Sequence, residues 1–162
     1  PDDQMPVISS TIEGDPIRKD TKIEMRADII TNPLGIVNRL NPSQLNEQTV
    51  NFIMKITRYR MEEMEYDVAF DYFLSVIEEM DDLKENYNTY KDIYESFESE
   101  EEKKDFVNSI IVDGAFIKEE PFWRNVNMFR LKEISKKFNI GPVSVNVDGK
   151  PIRNKMVMAE VS

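Results

Sequence analysis

The side chains of this chain that could do chemistry are arginines, lysines, carboxylates and tyrosines, because it contains neither cysteine nor histidine. That excludes disulfides, His/Cys zinc sites, Ser-His-Asp triads and Cys-His dyads together. Carboxylates run in pairs or triples at Glu62-Glu63, Glu78-Glu79 and Glu100-Glu101-Glu102. None has the spacing of an EF-hand or Asp-x-Asp loop, so solvated helix faces are favoured over Mg²⁺ or Ca²⁺ sites. Lys55, Arg58 and Arg60 cluster within six residues. They could touch a nucleic-acid backbone, or ion-pair with the acidic stretch that follows. Tyr87, Tyr90 and Tyr94, spaced by three and four, could stack on bases. Their helical spacing among Asp and Glu favours core packing instead. Arg39 lies in a stretch of turn formers, and spacing alone pairs it with a carboxylate such as Glu47 or Asp28. No Gly-rich phosphate cradle is present.

The elements that would hold these groups follow from periodicity. Residues 1–22 read as loop, with a turn at Gly14-Asp15-Pro16. Residues 23–30 alternate in part and end at Asn32-Pro33, as a short strand does. Asn41-Pro42-Ser43 starts a helix, with Asn41 as cap and Pro42 at the first helical position. Val50, Ile53, Met54, Ile56 and Met61 carry it to about residue 64. Further helices are expected over 68–80 and 83–97. Ser99 with Glu102 forms a capping box that opens another, closed at Gly114. A short strand is expected over 115–118, then a basic amphipathic helix over 126–138. Val143, Val145 and Val147 alternate ahead of Asp148-Gly149, a hairpin signal, with a return strand over 156–161. Ending at Ser162 in strand-like sequence, the chain is expected to be cut from a longer one.

With 162 residues and 40% hydrophobic residues, about one folded domain is expected. Net charge is −10, which as a whole repels phosphate. The acid concentrates in residues 62–105, expected to be a solvated face, whereas 17–60 and 118–155 hold most of the Arg and Lys. There is no apolar run of transmembrane length and no visible signal peptide, which fits a cytoplasmic setting.

Four blocks carry a family resemblance. The run Asn32-Pro33-Leu34-Gly35-Ile36-Val37-Asn38-Arg39-Leu40-Asn41-Pro42-Ser43-Gln44-Leu45 resembles a signature of the β-type, second-largest subunit of multisubunit DNA-dependent RNA polymerases. There an apolar strand leads to N-P-x-G/A-[VI]-x-x-R-[ML]-[NT] and then to a helix carrying Gln and, three residues later, Glu. Gln44 and Glu47 hold those places, while Ser43 replaces a Gly and Asn46 a Leu or Ile. Pro1-Asp2-Asp3-Gln4-Met5-Pro6 is similar to the family's P-x-E-D-M-P. The segment from Asp113-Gly114 to Pro121-Phe122-Trp123 and the one from Gly141 to Asp148-Gly149 are similar to two later blocks, in the right order. The acidic middle matches nothing in the family, and this divergence suggests a bacteriophage-encoded version.

The resemblance implies an α+β fold. Residues 1–47 and 113–162 would form a small β-containing unit of the polymerase core, with residues 48–112 as an acidic helical insertion. It implies a DNA-directed RNA polymerase, a nucleotidyltransferase active only in the full multisubunit complex, within the host cytoplasm or the virion. Arg39 would reach the β and γ phosphates of the incoming nucleoside triphosphate, where a planar fork of donors suits phosphate. Asn41, Gln44 and Glu47 would support its loop. Mg²⁺ would be held by the other large subunit, and template DNA, the RNA transcript and the remaining subunits would be the partners. No catalytic or metal-ligating residue is expected in this chain. The competing reading is an acidic helical protein-interaction module with no catalytic role.

Overall fold

The computed structural model describes residues 7–11, 22–26, 42–80, 84–118, 128–138, 140, 145–147 and 150–151. Five helices occur among them: α1 (Pro42–Met61), α2 (Tyr66–Met80), α3 (Glu85–Ser96), α4 (Glu100–Asp113) and α5 (Met128–Lys137). Each matches an expected helix to within about three residues at either end.

The second helix is the hub, and its composition explains why. Ala69, Phe70, Phe73, Leu74, Val76, Ile77 and Met80 are all buried. On a helix these positions spread over more than one face, too wide an arc for a single partner. α2 accordingly packs against α1, α3, α4 and α5. Ile53, Ile56 and Met61 of α1, Val107 and Ile110 of α4, and Leu131 and Ile134 of α5 complete one core, joined by Ile140. Burying each such side chain contributes roughly 1.5–3 kcal/mol. α5 and the stretch over 48–112 therefore share a core.

Local signals set the helix ends. The Ser99 hydroxyl accepts from the Glu102 amide at 3.2 Å, and the Ser99 amide donates back to the Glu102 carboxylate at 3.4 Å, the reciprocal capping box. α4 stops at Gly114, whose φ of +96° suits a residue without Cβ. Its amide still donates to the Ile110 carbonyl at 3.1 Å.

Short backbone ladders pair at β1 (Val7–Thr11), β2 (Lys22–Arg26), β3 (Val145–Val147) and β4 (Lys150–Pro151), antiparallel in the order β2-β1-β3-β4. β1 falls where a loop was expected, in the β-branched run Val7-Ile8-Ser9-Ser10-Thr11. β3 pairs Val147 with Lys150, so the return strand begins directly after Asp148-Gly149. The return expected over 156–161 lies outside the described residues.

The expected α+β class is corrected. The part of the chain that carries the core is 80% helical, with five helices and no strand or sheet, and every core side chain among the described residues but Ile140 sits on a helix. The physical reason is periodicity: the apolar residues that bury repeat every three to four positions, and the ladders are two to five residues long. Residues 115–118, expected as a strand, are irregular. No helix among the described residues is long and apolar enough to cross a membrane.

Candidate functional site

In the sequence, the residues read as a nucleotide site flank the start of α1. Its first residue is Pro42, as the capping pattern required, so a helix does begin inside the signature. Arg39 and Asn41 lie outside the described residues, as does the side chain of Gln44 in the first turn. Glu47 is exposed. It stands on the wall of an open groove of about 570 Å³, with Val50, Met54, Lys55, Asp113 and Ile117 also lining it. Of the four site residues the structure thus describes Glu47 in full.

The cations further along α1 have specific partners. Arg58 donates from Nε to the Ile111 carbonyl at 2.8 Å and from Nη2 to the Val112 carbonyl at 2.6 Å. Arg60, only 3% exposed, donates from Nη1 to the Tyr72 hydroxyl at 2.8 Å and to the Phe138 carbonyl. Arg130 of α5 donates from Nε to the Glu79 carbonyl at 3.1 Å. Each guanidinium therefore sits at the C-terminal end of a different helix: α4, α5 and α2. There the last carbonyls lack intrahelical donors and carry the negative end of the dipole. Helices α2 and α4 have no basic residue in their own last turns, so the cation comes from a neighbouring helix. The sequence reading offered phosphate or carboxylate partners for Arg58 and Arg60 and missed the carbonyls. The one available signal was the absence of a basic C-terminal turn in α2 and α4.

The tyrosines pack inward. Tyr94 stacks on Phe70 with centroids 4.0 Å apart, and Tyr90 meets Phe73 edge-on at 5.0 Å. The Tyr90 hydroxyl donates to the Phe116 carbonyl at 3.0 Å. Burial raises the pKa of both phenols above the ordinary tyrosine value, and nearby acidic groups add to this at Tyr94. These rings are used in packing, not as a base-stacking platform. Beside them, Asn86 clamps the segment after α4: its Nδ2 donates to the Lys118 carbonyl at 3.0 Å and its Oδ1 accepts from the Lys118 amide at 2.8 Å.

The acidic runs behave as surface charge. Glu78 pairs with Lys84 at 2.6 Å, and that hydrogen bond lowers the Glu78 pKa and raises that of Lys84. Among the described residues no group of three or more acidic side chains is placed to hold a metal ion. No protein-family model matches the chain, and no curated protein matches it.

Proposed function

We propose that the chain is part of the β-type subunit of a DNA-directed RNA polymerase and helps position the incoming nucleoside triphosphate and the RNA–DNA hybrid during transcription. The observation that carries this reading is the signature over residues 32–45, with helix α1 beginning inside it at Pro42. Nucleotidyl transfer is mainly positioning and charge neutralisation along a triphosphate. In this reading Arg39 donates to the β and γ phosphates as charge develops, Asn41 fixes the loop ahead of α1, and Gln44 and Glu47 brace it. Mg²⁺ bound on the other large subunit supplies the metal chemistry. Outside that assembly the chain synthesises no RNA.

The test is single-step nucleotide addition by the assembled enzyme at varied nucleotide concentration. Arg39→Ala should raise the apparent KM and slow addition. One charge-assisted contact to phosphate is worth about 1.5–3 kcal/mol, or on the order of ten- to a hundredfold. Arg39→Lys should recover only part, since a point charge cannot make a two-pronged contact. Identical curves for wild type and Arg39→Ala would sink the assignment.

A second reading has its own observation: the well-packed body is helical and strongly acidic, which suits a protein-interaction module without catalytic role. Association of the chain with the other large polymerase subunit separates the two, because only the first reading requires it.

A further inference from the structure

The chain is strongly polarised in charge. Residues 62–105 hold 17 Asp and Glu against 4 Lys, whereas residues 118–155 hold 9 Lys and Arg against 4 Asp and Glu. In the structure, that difference surfaces on α5. Its apolar side, Leu131 and Ile134, is buried in the core, while Lys132, Glu133, Lys136 and Lys137 are exposed.

The cations of α5 divide into two sets. Arg130 donates to the Glu79 carbonyl, and Lys137 pairs with the Glu79 carboxylate; these two hold the helix against α2. Lys132 and Lys136 have no hydrogen-bond or ion-pair partner among the described residues. Elsewhere on the surface Lys84, Lys91 and Lys118 each find a carboxylate, on Glu78, Glu95 and Glu85. Lys103 and Lys104 on α4 also make no ion pair among the described residues, but Lys103 lies over the Tyr94 ring and the pair stands among Glu100, Glu101, Glu102 and Asp105, whereas Lys132 and Lys136 have a single carboxylate, Glu133, on their helix. They are four residues apart, so both ammonium groups project from one face, about 6 Å apart at their Cβ atoms. Glu133, the one carboxylate on α5, lies next to that face and makes no ion pair with either lysine among the described residues.

We infer that the exposed face of α5, through Lys132 and Lys136, is a phosphate-contacting surface for a nucleic-acid backbone. Charge complementarity selects an anionic partner, and the composition of the face selects its class. Protein–protein interfaces rest on buried apolar or aromatic anchors, and every described side chain exposed on α5 is charged. A phosphate backbone asks only for cations at suitable spacing, with no apolar contact. The acidic helices α3 and α4 would repel the same polyanion. The inference rests on charge placement in this chain and holds whether or not Arg39 meets a nucleotide.

The test is fluorescence anisotropy of a labelled RNA–DNA hybrid duplex with the full chain and no nucleotide present. Binding should weaken about tenfold between 50 and 200 mM salt, as the loss of roughly two phosphate contacts dictates. Lys132→Gln/Lys136→Gln should abolish it while leaving the circular dichroism melt unchanged, and a control, Lys103→Gln/Lys104→Gln on acidic α4, should leave it intact. No measurable binding at 50 mM salt would overturn the inference, as would equal loss in the two double variants. Binding of an acidic polypeptide in preference to the duplex, through the same lysines, would assign the face to a protein partner and also overturn it.

Discussion

At the scale of single residues, the arginines whose side chains are described act as caps in trans. Arg58, Arg60 and Arg130 each donate to carbonyls at the end of a helix other than their own. A guanidinium suits the task because its donors fan out in one plane and it remains charged at any accessible pH. Arg60 is the most deeply placed of the three. Arg60→Ala would leave the Phe138 carbonyl and the Tyr72 hydroxyl short of a donor and remove the packing of its stem, at an expense on the order of 2–4 kcal/mol. Urea denaturation followed by circular dichroism should show the midpoint falling with the slope unchanged. Arg60→Lys should restore less than half, because one ammonium cannot reach both acceptors in the same geometry. An unchanged midpoint in Arg60→Ala would mean that water replaces the guanidinium at no loss. The sequence held the cluster Lys55, Arg58 and Arg60 in plain view but not its partners. Those lie 12 to 78 residues away along the chain, at helix ends that only the tertiary packing brings near.

At the scale of elements, legibility followed the strength of the local signal. The capping box at Ser99 and the stop at Gly114 were readable because both act within one turn of the chain. Helices α1 to α4 were readable from apolar periodicity. The fold class was not, because the resemblance that implied it covers the two chain ends, whereas the core is built by the helical period of α1, α2, α4 and α5. Residues 115–118 show why a strand-like pattern misleads. Their neighbour is not a strand but α3, and the ladder bonds a strand would make are supplied by side chains, two from Asn86 and one from Tyr90. Asn86 is nearly buried, so losing its amide leaves backbone groups of Lys118 unsatisfied. Asn86→Ala should destabilise by roughly 1–3 kcal/mol. Amide exchange at Lys118 should accelerate far more than at Val107 in the core of α4. Asn86→Asp keeps an acceptor for the Lys118 amide but sets a carboxylate against the Lys118 carbonyl, and should fall close to the alanine variant. Protection at Lys118 unaffected by either change would show that the segment is held by other means.

At the scale of the whole molecule, the aromatic cluster between α2, α3 and α4 ties the core to the alkaline limit of stability. Phe70, Phe73, Tyr90, Tyr94 and Phe106 form successive ring contacts across the three helices. Burial is the leading cause that raises the Tyr90 and Tyr94 pKa values above the ordinary 10.0. A phenol whose pKa is higher folded than unfolded binds its proton more tightly in the native state. Its contribution to stability is complete below pH 10 and is lost as pH climbs through the folded-state value. The acidic surface acts in the same direction, because each lysine that loses its proton makes a net charge of −10 more negative and adds to self-repulsion. Thermal melts should therefore be flat from about pH 7 to 9 and fall steeply above pH 10. Absorbance at 295 nm should show the Tyr90 and Tyr94 phenols ionising above pH 10, together with the loss of helix. Tyr94→Phe keeps the stacked ring on Phe70 but has no proton to lose, so its melting temperature should decline less between pH 10 and 11.5 than that of the wild type. If the two decline in parallel, lysine deprotonation alone sets the alkaline limit and the half-buried phenols contribute nothing to it.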